Sequence, residues 1–210
     1  MSFKRVILFG AVLLTSVSAL AQRADVFGEY SYLHFSPTIG GLTSTSFNGG
    51  GGGADLYFLK ILGIKADFMG YANTTFTRTY NTPVTLPSGA TIPAGTYSTQ
   101  GNMFTYLFGP VLRLPLPLVK PFGEVLFGGS HTNAYVGLAN AIDTAGGTIS
   151  VPSQHPFTMA AGGGVDVSVS HHVAIRVAEF DYVLTRYTNP LTSTNNQNSF
   201  RYAGGVVLKF

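Results

Sequence analysis

Five histidines, nine acidic residues and two glycine-rich runs are where this chain could hold chemistry. Ser130 and His131 stand side by side with Glu124 six residues upstream, the residue types of a nucleophile, a base and an orienting acid. Their spacing works against that role. In a strand, successive side chains point to opposite faces, so Ser130 and His131 diverge, and Glu124 shares the parity of Ser130 rather than His131. His171 and His172 fall in a predicted turn, where neighbours rarely share one metal; His34 and His155 stand alone in the sequence. The carboxylates lack calcium-loop spacing. There is no cysteine, so no thiolate metal site or disulfide. Gly49 to Gly53 could suggest a phosphate loop, but no Lys-Ser/Thr pair or helical pattern follows it. Glycines in a strand more often permit bending or close packing, and Gly162 to Gly164 reads the same way. The sequence therefore predicts no catalytic, cofactor-binding or metal-binding residue.

The elements around these residues are more legible. Eight segments alternate apolar with polar or small: 24–36, 46–59, 63–73, 102–114, 119–131, 156–169, 173–187 and 199–210. The connections after the second, fourth and sixth are short: Lys60 to Leu62, Pro115 to Leu118 and Ser170 to His172. Those after the first, third, fifth and seventh are longer: Pro37 to Thr45, Thr74 to Gly101, Thr132 to His155 and Thr188 to Asn198. Long connections kept to one end are the pattern of an up-and-down barrel.

Parity assigns the faces. Phe200, Tyr202, Gly204, Val206, Leu208 and Phe210 fall on one side of the last segment, and Arg201 and Lys209 on the other. Phe104, Tyr106, Phe108, Leu112 and Leu114 oppose Thr105, Gly109 and Arg113. Ile64, Ala66, Phe68 and Gly70 oppose Lys65, Asp67, Met69 and Tyr71. A Lys or Arg facing lipid at the midplane would cost about 2–4 kcal/mol, so the charged faces are expected to line the lumen. The predicted lumen network is Glu29, Asp55, Lys65, Asp67, Arg113, Glu124, Asp166, Arg176 and Arg201, with Lys209 near the rim. The seventh segment breaks its own parity, since Arg176 is even while Glu179 and Asp181 are odd. Either a β-bulge near Ala178 shifts the facing by one residue, or Glu179 lies above the membrane.

The amino terminus reads as a secretory leader. Lys4 and Arg5 precede an apolar run, Val6 to Leu14, and Ala19-Leu20-Ala21 is a cleavage signature. The expected division is a signal peptide at 1–21 and a barrel domain at 22–210. Lys4 and Arg5 supply two of the three net positive charges, so the processed chain carries +1. Its bases are scattered, which excludes a nucleic-acid partner of the basic-stripe kind. Charged residues make up 10% of the chain, against about a quarter in soluble domains. Apolar surface facing lipid accounts for the deficit.

On the residues Phe200 to Phe210, Gly162 to Val167 and Val173 to Tyr182, the chain resembles the small bacterial outer-membrane β-barrel family, the OmpA-like and OmpX-like eight-stranded membrane domains. The resemblance implies an all-β, eight-stranded antiparallel up-and-down transmembrane barrel with short periplasmic turns and longer external loops. It implies location in the outer membrane of a Gram-negative bacterium. Outer-membrane lipids are the implied surroundings, and the barrel-assembly machinery is the implied partner during biogenesis. Tyr202, Val206, Leu208 and Phe210 look like the family's C-terminal assembly signal. No peptidoglycan-binding domain follows Phe210, so a cell-wall tether is not expected. The expected function is a non-enzymatic scaffold, with no cofactor, presenting external loops to an unknown ligand. Thr74 to Gly101 and Thr132 to His155 are its best candidate loops, with Tyr80, Tyr97 and Tyr135 as aromatic contacts. Some barrels of this size deacylate lipid A with a Ser-His-Glu set. The His-x-Ser spacing of those enzymes is absent at His131, where Thr132 and Asn133 follow. That activity is the first alternative and a narrow small-solute channel the second.

Overall fold

The alternating segments become strands, and the strands close into a ring. A computed structural model describes residues 23–36, 45–85, 91–132, 155–186 and 196–210. The strands are β1 (Arg23–Ser36), β2 (Thr45–Tyr57), β3 (Leu62–Tyr80), β4 (Val84–Thr85), β5 (Thr91–Ile92), β6 (Gly95–Arg113), β7 (Val119–Thr132), β8 (Phe157–Ser168), β9 (Val173–Arg186) and β10 (Asn196–Lys209). Eight form a closed antiparallel barrel in the order β1-β10-β9-β8-β7-β6-β3-β2, and β4 with β5 is a separate two-stranded hairpin. Strand β1 closes the ring by pairing with β2 on one side and β10 on the other, as in Glu29↔Gly51 and Glu29↔Gly205. Closure leaves no strand edge around the wall. The expected leader at 1–21, the third long connection with Tyr135, and most of the first and fourth lie outside the described residues.

Three short turns gather at one end. Leu59 N donates to Leu62 O at 3.1 Å, Leu116 N to Leu114 O at 2.9 Å, and Ser170 N to Val173 O at 3.0 Å. The other end differs from expectation at Thr74 to Gly101. Instead of a loop, β3 and β6 continue there as a paired ribbon, out to Tyr80↔Gly95. The run is rich in Thr and Tyr, residues that favour strands, and Thr77–Ser98 and Thr79–Thr96 hydroxyls bond across it at 3.0 Å. Loop-like composition concealed strand-forming residues.

The seventh segment contains the bulge. Ala178 pairs with Val165 and Arg176 with Asp166, so β9 gains one residue against β8. Against β10, Glu179 pairs with Ala203 and Arg176 with Gly205. Arg176, Glu179 and Asp181 consequently all face inward and are buried. Glu179 lying above the membrane is the alternative that this register rules out.

Two glycines explain how a narrow barrel holds aromatic rings inside. A Cβ on Gly53 would stand 2.7 Å from Phe27 Cζ and collide with the Ala66 carbonyl. One on Gly164 would stand 2.8 Å from Phe122 Cζ and 3.0 Å from Glu179 Cα. The missing side chains are the space those two rings occupy. At Gly70 a Cβ would meet only Gly50 O, at 3.7 Å. Gly164→Ala is expected to lower stability by about 1–3 kcal/mol, as overpacking does. Gly70→Ala should stay within about 0.5 kcal/mol of the parent. Urea midpoints read by gel migration of unheated samples test the contrast; equal midpoints would contradict it.

Candidate functional site

The outer wall is apolar and aromatic. Phe68, Phe104, Phe108, Phe127, Phe180, Phe200, Ile64 and Leu112 are exposed on it. Rings pair across neighbouring strands: Phe68 with Phe108 at 5.4 Å, Phe180 with Tyr202 at 5.1 Å, Tyr182 with Phe200 at 5.8 Å. A water-soluble monomer rarely shows apolar patches beyond a few hundred Å², and here the belt encircles the barrel. Among the described residues, no helix is long and apolar enough to cross a membrane. Tyr202, Val206, Leu208 and Phe210 stand exposed on this outer face along β10.

The inner wall holds the charges. Glu29, Asp55, Lys65, Asp67, Arg113, Glu124, Asp166, Arg176 and Arg201 are all buried inside, with Lys65 wholly inaccessible. Lys209 is half-buried at the turn end, its Nζ donating to Ser170 O at 2.8 Å. The structure adds Asp25, Glu179 and Asp181 to the interior. The parity of Asp25 matches that of Glu29 and could have revealed it; Glu179 and Asp181 needed the bulge.

Ion pairs join these groups across the lumen. Lys65 Nζ lies 2.8 Å from both Glu124 and Glu179. Arg201 reaches Asp67 at 2.6 Å, Asp181 at 2.8 Å and Glu179 at 2.9 Å. Arg176 holds Glu29 at 2.6 Å, Asp166 at 2.8 Å, Glu179 at 2.9 Å and Asp55 at 3.4 Å. Arg113 pairs with Asp25 nearer the turns and stacks on Tyr57, 3.7 Å from the ring centre. The Phe27 and Phe122 rings flank the two central cations. Arg176 Cζ is 4.6 and 4.5 Å from their centres, and Lys65 Nζ 4.8 and 5.3 Å. Both ring faces are negative, so each adds cation–π attraction in a desolvated place.

Eight buried carboxylates thus face four buried cations among the described residues. Glu124, Glu179 and Asp181 bring oxygens within 4.8 Å of one another. Lys65 and Arg201 already occupy the space between them, so this trio is an ion-paired cluster held by the protein's own cations.

Above the charges, toward the long-loop end, the lumen turns apolar. Leu33, Phe47, Met69, Tyr71, Met103, Leu107, Leu126, Ala160 and Val183 form one buried cluster across it. Side chains from all eight barrel strands except β10 meet there. An eight-stranded barrel has an interior just wide enough for side chains to fill.

The triad-like residues do not converge. Ser130 is buried, facing inward, and pairs across to Thr105. His131 is exposed, pairs across to Phe104, and stacks on His155 at 4.7 Å. Glu124 is bound to Lys65. In the ribbon, Tyr97 is buried rather than displayed, donating to Pro93 O at 2.9 Å with Tyr80 packed at 6.0 Å.

No family model and no curated protein sequence matches the chain. Solved structures do. Neisserial surface protein A shares 14% identity over 90% of this chain and 97% of its own, with a TM-score of 0.53. The outer membrane protein OprG from Pseudomonas aeruginosa shares 12% over 91% of this chain and 97% of its own, at 0.58. The chain has the fold of the small eight-stranded outer-membrane β-barrels.

The charge imbalance makes a directional prediction. Arg176→Met strands four carboxylates in a dry interior and should cost about 3–5 kcal/mol, the cost of breaking a buried pair. Asp55→Asn removes one charge from the group in surplus and should cost about 1 kcal/mol or less, the scale of one hydrogen bond. Urea titration of both refolded variants measures the difference, and equal losses would refute the reading.

Proposed function

We propose that this protein is an integral outer-membrane barrel of a Gram-negative bacterium, a non-enzymatic scaffold that presents its long-loop end to the exterior. The observation that carries the reading is the pairing of an apolar outer belt with an interior whose buried charges are held in ion pairs across the lumen. Backbone groups in hydrocarbon must find partners within the protein, and a closed ring of strands supplies them. The interior supports rigidity rather than transport, because the Leu107–Leu126–Met69 cluster crosses the lumen.

The β3–β6 ribbon is the recognition element in this proposal. It rises past the last β6–β7 pair, Met103↔Thr132, and carries its own small core of Ile92 and Tyr97. Exposed Thr75, Thr77, Thr79, Thr96 and Ser98 offer hydroxyls at strand spacing. The second candidate, Thr132 to His155, is carried forward from the sequence alone.

Two measurements test the proposal. The membrane-extracted protein should migrate faster unheated than boiled and give a β-type circular dichroism spectrum; recovery as a soluble monomer without detergent would end it. Replacing residues 76–99 with a Gly-Ser turn should leave that migration intact while abolishing surface attachment of expressing cells. Attachment unchanged by the replacement would remove the ribbon from the function. In planar bilayers the refolded barrel should give no conductance steps, and steady unitary currents would favour the channel alternative.

A further inference from the structure

The turn end of the lumen opens into a cavity of about 610 Å³ whose chemistry reverses that of the interior. Its floor is the buried Arg113–Asp25 pair. Arg23, Lys120 and Lys209 line its walls, with Ser168 and Ser170 beside them. Asp25 is the one acidic side chain on this lining, against four cations. Deeper in the barrel the ratio runs the other way, so the positive charge is local to the mouth.

Part of this lining is held in place. Arg113 is fixed by Asp25 on one side and the Tyr57 ring on the other. Lys209 Nζ is anchored by Ser170 O at 2.8 Å and Ser168 Oγ at 3.2 Å. Arg23 and Lys120 form no ion pair with any described residue, so their charge faces the cavity uncompensated. Guanidinium, ammonium and hydroxyl donors around one space suit the several oxygens of a phosphate.

The lip adds a second, independent feature. Val169 and Phe210 line the same cavity and are 67% and 74% exposed, and Leu118 beside Pro117 is 60% exposed. An anion-binding floor with an apolar lip fits an amphiphile, with its phosphate held inside and its chains lying outward.

We propose that this cavity binds the phosphate of a phospholipid headgroup from the periplasmic leaflet. The headgroup assignment rests on the membrane placement proposed above; the phosphate chemistry does not. Free phosphate shares the polar contacts but has no use for the lip.

The test titrates two probes, dihexanoyl phosphatidylglycerol and inorganic phosphate, onto the protein refolded in uncharged detergent. Amide chemical shifts of residues 118–120 and 168–173 report binding. Both probes should shift the same residues saturably and compete, the lipid binding about tenfold or more tightly than phosphate because its chains cover the lip. The Arg23→Gln/Lys120→Gln double variant should weaken both about tenfold or more, and Arg23→Gln alone should do so in part. Lys60→Gln, in a turn away from the cavity, should change nothing. The single variant decides the matter if the double variant does not fold. Absence of saturable shifts, or shifts indifferent to these variants, overturns the site. Phosphate bound as tightly as the lipid overturns the headgroup assignment. Heat-modifiable migration of the same sample reports separately on the membrane placement.

Discussion

One guanidinium ties four strands of this barrel together. Arg176 projects from β9 and holds carboxylates of β1, β2, β8 and β9 at once, between two aromatic faces. Charges in a dry interior are tolerated only when paired and hydrogen-bonded. Here the pairing crosses the lumen, so electrostatics braces the ring from within while hydrogen bonds close it along the wall. The bulge at Val177–Ala178 makes this possible. Without an extra residue there, Arg176 and Glu179 would face opposite sides of the wall.

The lumen is layered. A cation-rich mouth lies at the turns, then the ionic layer, then an apolar cluster, then a collar of Ser130, Thr132, Thr158, Thr185, Gln197 and Ser199. Each layer suits its depth. Hydroxyls and amides belong where the interior meets water, and aliphatic groups seal what the ion pairs leave. The Phe27 and Phe122 rings join the ionic layer to the mouth, and the inward glycines on β2 and β8 give them room.

Alternation made most of the fold readable, because period two survives in any strand with one face in oil and the other on charge. Lys65, Arg113 and Arg201 declared their side by parity alone. Glu179 and Asp181 broke that parity, which made a bulge near Ala178 one of two readings, and the register shift there is what turns both acids inward. One feature was not readable that way. The β3–β6 ribbon was hidden because one face of it, Thr75, Thr77 and Thr79 with Thr96 and Ser98, is exposed and hydroxyl-bearing, so Thr75 to Thr79 carries no apolar stripe. The mouth cavity was less legible still. Its residues come from five strands, two turns and Phe210, and only closure of the ring brings Arg23 near Lys120.

Five consecutive glycines in β2 have a consequence for how the ring is made. Gly49 to Gly53 has no side chain of its own to mark one alignment against β1 or β3, and a slide meets resistance only when Asn48 or Ala54 brings a Cβ into the places of Gly49 or Gly53. Only the flanking Phe47 and Asp55–Tyr57 can say where the strand stops. This stretch therefore behaves as a zip fastener without teeth, correctly seated only once its neighbours have set both ends.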